Sequence, residues 1–284
     1  MKRSFAWLAA SVLATLGATP GTAADATTGA DPSAVLTVDQ IVERHVAARG
    51  GAEAWRQIKT MAWTGHIESG PGGIEKVPYL LLFQRPNATH FEVMAQHQKS
   101  VRIFDGSKGW KLLPAGNGLP ELRDYSDEEL SFARDASGLD GPLFDYKAKG
   151  VSVALAGMDH VEGREAYRLQ VTLPSGQTHT DWIDAHSFLQ LKYDRATRNA
   201  AGRTGIVSVY LRDYQTIKGL VMPFSIETGA AGGAATDRMI IEKIALNPTL
   251  EAGAFMKPVA PRARRNGILV NTESPPAVAP AAAH

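Results

Sequence analysis

The chain has 284 residues, 44% of them apolar, and its 30 lysines and arginines stand against 29 acidic residues. That near-neutral balance, with no basic stripe, argues against nucleic acid as a partner. The absence of cysteine excludes disulfides, thiolate metal sites and the modified cysteine of an anchored lipoprotein.

Lys2 and Arg3 precede an uncharged apolar run from Phe5 to Leu16, and small residues lead on to Thr22-Ala23-Ala24. This is the pattern of a signal peptide over residues 1–24. The apolar run is shorter than the roughly 20 residues that a spanning helix needs. The expectation is a cleaved, exported, soluble protein of the periplasm. Residues 25–36 are small and polar, and are expected to form a linker. The tail over residues 258–284 is rich in proline and alanine and is expected to be disordered. Between them lies one domain, residues 37–257, long enough to bury a core.

The domain opens on a helix. Thr37 and Gln40 have the spacing of a capping box, Val38, Ile41, Val42 and His45 form one stripe, and Gly50-Gly51 ends it. A short second helical turn carries Ala52, Trp55 and Ile58. The period then changes to two. Apolar residues alternate around Met61–Ile67, Tyr79–Phe83, Phe91–Val93, Val101–Ile103, Trp110–Leu112, Val151–Leu155, Tyr167–Leu173, Leu189–Tyr193, Val207–Leu211 and Ile240–Ile244. Turn signals such as Pro86-Asn87, Asp105-Gly106, Glu162-Gly163 and Lys218-Gly219 separate them. About ten short strands joined by tight turns predict a mainly β, α+β fold built on an antiparallel sheet, and a sheet that long curls. One helix interrupts them. Ser126 and Glu129 form a second capping box, the stretch from Asp127 to Ala136 carries Leu130 and Ala133 on one side, and Leu139, Leu143 and Phe144 follow. Lying between the two halves of the sheet, it can cover the concave face.

No specific catalytic grouping stands out: there is no phosphate-binding glycine loop, no GxSxG and no HExxH. His179 and Asp181 lie two apart on one strand face. A zinc site needs further ligands from elsewhere, so the ordinary reading is a surface strand pair. Asp181 and Asp184 fall on opposite faces and do not cooperate as acid and base. His66, His90 and His97 are expected to be satisfied surface residues. No metal, no cofactor and no enzymatic activity is expected, and the remaining catalytic alternative is a hydrolase built around His179 and Asp181.

The stretch Phe83-Gln84-Arg85-Pro86-Asn87, followed by Asp105-Gly106 and Trp110, resembles the outer-membrane lipoprotein-sorting proteins, the LolA/LolB-like periplasmic carriers. The order of the later pieces is also similar: Glu162-Gly163-Arg164, Trp182-Ile183-Asp184, and Lys218-Gly219-Leu220 before Met222-Pro223. The resemblance covers most of residues 37–257, though the chain is longer than the carriers. It implies an unclosed half-barrel whose helices cover the concave face, and a cavity for the acyl chains of a lipid or lipoprotein. It also implies that the arginine of the Arg-Pro step, here Arg85, holds the helical cover through helix carbonyls. Alternation puts Arg85 on the face of Tyr79, Leu81 and Phe83. An arginine there is either satisfied inside or reaches solvent at the strand end.

The expected ligand surface is Trp63, Leu81, Phe83, Arg85, Phe91, Trp110 and Tyr167, with Leu130 and Leu143 in the lid. The same residues are equally consistent with a filled core. The expected protein is a monomeric lipid or lipoprotein carrier, with partner proteins at the inner and outer membranes. The alternative on the same fold is an envelope protein-interaction or sensor module.

Overall fold

The computed structural model describes residues 36–69, 75–95, 98–114, 120–136, 138–198 and 204–259. The expected signal peptide, the linker up to residue 35, the tail from residue 260 and His97 lie outside them.

Both predicted capping boxes form. Thr37 Oγ1 accepts from the Gln40 N–H and Gln40 Oε1 accepts from the Thr37 N–H, which starts α1 (Val38–Ala48) and buries Ile41, Val42 and His45. Gly50 then lets the chain turn. Its φ is +105°, and a Cβ there would stand 2.2 Å from the Gly219 carbonyl oxygen, so only glycine fits. The one-turn α2 (Ala52–Arg56) follows and buries Trp55.

Fifteen strands are found among the described residues. The first six are β1 (Thr60–Ser69), β2 (Glu75–Gln84), β3 (Ala88–Ala95), β4 (Gln98–Phe104), β5 (Gly109–Leu113) and β6 (Glu121–Asp124). Helix α3 (Asp127–Asp135) begins at the Ser126–Glu129 box. After the turns of residues 138–150 come β7 (Ser152–Val161), β8 (Arg164–Thr172), β9 (Thr178–Asp184), β10 (Gln190–Arg198) and β11 (Thr204–Arg212). The chain finishes through β12 (Gln215–Ile217), β13 (Leu220–Met222), β14 (Ser225–Ala230) and β15 (Ala235–Leu246).

Thirteen strands make one antiparallel sheet in the order β6-β5-β4-β3-β2-β1-β15-β14-β11-β10-β9-β8-β7, while β12 and β13 pair separately. The sheet is a curled, unclosed half-barrel. Two meanders meet at its middle, where β1 lies against β15 with Trp63 opposite Ile244. Its free edges are β6 and β7. Edge β7 carries a bulge between Leu155 and Met158, where Gly157 has φ +107°. These two edges are consecutive in sequence apart from α3 and residues 138–150. The connection must therefore travel from one rim of the half-barrel to the other, and this topology puts α3 across the opening.

Candidate functional site

Register fixes which side chains share the helix-covered, concave face. Trp63 lies opposite Leu81, Leu81 opposite Phe91, and Met61 opposite Phe83. Trp63, Leu81, Phe83 and Phe91 therefore form one patch, with the Trp63 and Phe83 rings 5.3 Å apart and edge-on. They pack beside the buried residues Trp55, Met61, Val77, Tyr79, Val93 and Ile241, yet remain only partly buried themselves. Tyr167 shares the face but not the patch. It belongs to the other arm, stacks on Phe188 at 5.9 Å, and packs with Leu169, Val171 and Ile183 against Ile41 and Val42 of α1.

Two expectations about this face are corrected. Trp110 stands on the opposite, convex face. It pairs with Ile103 and packs with Val101, Leu112, Leu122 and Phe255. Alternation within β5 is as expected, but the choice of face is set by register with β4, which pairs Arg102 with Lys111 and turns both inward. The convex side is covered by the turn after β15. There His90 Nδ1 is bonded to the Ala254 carbonyl, and Trp110 borders a depression of about 620 Å3 shared with Leu250, Phe255 and Lys257. His90 is accordingly buried rather than a surface residue. Leu143, expected in the lid, lies beyond α3 and is buried with Ile41, Val42 and Val151. It is part of the core beneath α1. Leu130 does lie on α3, half-buried.

Arg85 makes its bonds indoors. Its Nε donates to the Ile58 carbonyl at 2.8 Å and its guanidinium to the Trp55 carbonyl of α2 at 3.0 Å. The same group pairs with Asp140 at 2.8 Å. Asp140 is 2% exposed and is also held by Lys149 at 2.6 Å, while its carbonyl accepts from Arg49. A buried carboxylate needs such company, because burial penalises the charge heavily unless partners satisfy it. Nothing in the pattern of apolar residues marked Asp140 or Lys149. Asp145 and Lys147 stand closer to the run Leu143-Phe144, so charge by itself does not single out Asp140 and Lys149.

Helix α3 is held differently. Its buried residues are Glu129 and Asp135. Glu129 takes Lys111 at 2.7 Å and Arg102 at 3.1 Å from the β4–β5 arm. Burial pushes its carboxyl up, but Lys111, the Ser126 N–H and Arg102 outweigh that and hold it below the ordinary value. Asp135 accepts from the Ser175 hydroxyl in the β8–β9 turn of the other arm. Phe132 is 40% exposed and meets the Arg195 guanidinium, 5.4 Å from its ring centre. The helix is thus a strap tied at both ends by polar groups.

Under that strap, His179 and Asp181 are not a surface pair. Asp181 is fully buried, and His179 Nδ1 lies 2.6 Å from its Oδ1. Among the described residues no group of three or more histidine, cysteine or acidic side chains is arranged to hold a metal, and no helix is long and apolar enough to cross a membrane.

No family model and no curated protein matches the chain. Solved structures do. A DUF1329 family protein from Desulfovibrio piger is similar over 77% of this chain and 97% of its own, at 13% identity and a TM-score of 0.50, a likeness of fold alone. A LolA superfamily protein from Nitrosomonas europaea is similar over 76% of this chain and 96% of its own, at 13% identity and a TM-score of 0.49.

Proposed function

We propose that the protein is a carrier of the bacterial periplasm that shields the acyl chains of a lipid or lipoprotein on its concave face. The observation that carries this reading is the partly exposed patch of Trp63, Leu81, Phe83 and Phe91 beside a strap whose buried groups are charged. Moving a methylene from water to such a surface gains about 0.8 kcal/mol. A chain laid along the patch therefore gains enough to bind, and it also covers surface that would otherwise favour aggregation. Because α3 rests on ion pairs more than on apolar contact, lifting it exposes little grease. Arg85 and Asp140 keep α2 in place meanwhile, so the floor of the site stays formed. Delivery between membranes calls for a donor and an acceptor protein.

The test is uptake. Lipid extracted from protein purified out of its own periplasm should contain acyl species by mass spectrometry, and delipidated protein should take up a fluorescent fatty acid. Phe83→Glu should reduce that uptake several-fold while far-UV circular dichroism stays unchanged. Normal uptake by the folded variant would remove Phe83 from the ligand surface, and no uptake by the parent protein would end the carrier reading.

A further inference from the structure

The concave face changes character beneath α3. Cross-strand register sets Asp181 between Leu169 and Tyr193, and His179 opposite Arg195. Thr197 lies two residues beyond Arg195 on the same side of β10. His179 orients Asp181 through Oδ1, and its ring lies 5.7 Å from that of Tyr193. Tyr193 is hydrogen bonded in turn to Arg195, and burial raises its phenol above the ordinary value.

Two side-chain atoms here are left over. Asp181 Oδ2 and Thr197 Oγ1 are buried with no hydrogen-bond partner among the described residues. A buried carboxylate oxygen without a donor is unfavourable, and native proteins seldom keep one without a use. Arg195, two residues along from Tyr193, forms no ion pair among the described residues and faces the Phe132 ring. The face therefore offers a spare acceptor and, as its diagonal neighbour about 7–8 Å away at the backbone, a cation that touches Tyr193 and Phe132 but has no carboxylate partner among the described residues.

We propose that this patch binds the zwitterionic head group of a phospholipid of the phosphoethanolamine type. Arg195 takes the phosphate, and Asp181 Oδ2 accepts from the ammonium. The acyl chain runs from there along the concave face, and Phe132 closes over the head when α3 is down. A fatty acid would satisfy Arg195 but bring no donor to Asp181, and a neutral ester would satisfy neither. The proposal rests on the carrier reading, and the experiment separates the two.

Calorimetric titration of the mature, delipidated chain would compare palmitoyl lysophosphatidylethanolamine, palmitate and methyl palmitate. The lysophospholipid should bind about ten-fold or more tighter than either of the others, the scale of one or two charge-assisted hydrogen bonds. Arg195→Gln, at a half-buried position, should abolish the preference, bringing the lysophospholipid and palmitate to the affinity of methyl palmitate. Asp181→Asn, where it folds, should remove the advantage of the lysophospholipid over palmitate. Equal binding of all three ligands, palmitate matching the lysophospholipid, or a preference that survives Arg195→Gln would overturn the head-group site and leave the carrier reading standing. Failure of all three to bind would overturn both.

Discussion

Helices α1 and α2 and helix α3 cover the same face of one sheet by opposite means. The first two bury Ile41, Val42 and Trp55 in apolar clusters on either arm. The third buries Glu129 and Asp135 and leaves Phe132 substantially exposed. Apolar packing is lost only by opening the core, whereas Lys111 and Arg102, the partners of the buried Glu129, are themselves partly exposed and already reach water. One pair of helices is thus built into the apolar core, and the other cover is held chiefly by polar contacts.

The largest effect should come from the built-in pair. Trp55 is 1% exposed, its Nε1 donates to the Arg49 carbonyl, and its own carbonyl accepts from Arg85. Trp55→Ala should cost about 4 kcal/mol in urea unfolding, as large aromatic truncations do. A loss below about 1 kcal/mol, the size of a surface effect, would break the distinction.

The next effect depends on pH. His45 is buried in α1, and its Nδ1–H donates to the Phe188 carbonyl at 2.8 Å. Burial, aided by nearby Arg49, lowers its pKa from 6.5 to about 4. The folded state therefore binds this proton more weakly than the unfolded chain does. The stability His45 contributes is complete above pH 6.5 and drains away as pH falls toward 4. The full loss is about 3 kcal/mol. The difference in unfolding free energy between the parent and His45→Gln should shift by roughly that amount across this window. A pH-independent difference would mean that the ring is not buried neutral.

The smallest global effect should come from the strap. Glu129→Gln removes a buried charge but leaves behind Lys111 and Arg102, both partly exposed, and should lower overall stability by about 2 kcal/mol. Amide exchange should instead quicken selectively over residues 127–135, the signature of a locally opening unit. Uniform acceleration across the sheet would place α3 with α1 and α2 after all.

Much of the frame was legible. Two capping boxes set α1 and α3 because their hydrogen bonds are local in sequence. Ten alternating runs announced a long antiparallel sheet. Strands too short or too polar to alternate clearly, such as Glu121–Asp124 and Gln215–Ile217, left no such signal. The faces were harder. Alternation tells which residues share a side within one strand, but not which side is inward. Trp110 went to the convex side because Ile103 pairs with it and the turn around Phe255 covers both. Asp181 is buried against expectation for a related reason. A carboxylate on a strand is ordinarily a solvated group, whereas this one sits on the concave face between Leu169 and Tyr193 with His179 against it. Arg85 was singled out by its motif, yet its partner Asp140 lies 55 positions further on and is brought near only by the crossover.

Edge strand β7 has a consequence of its own. Thirteen strands that never close leave a rim of free N–H and C=O groups, which a stray segment from another molecule can copy. The kink at Gly157 breaks that template into two short lengths that do not line up. An open sheet is thereby spared one route into fibres.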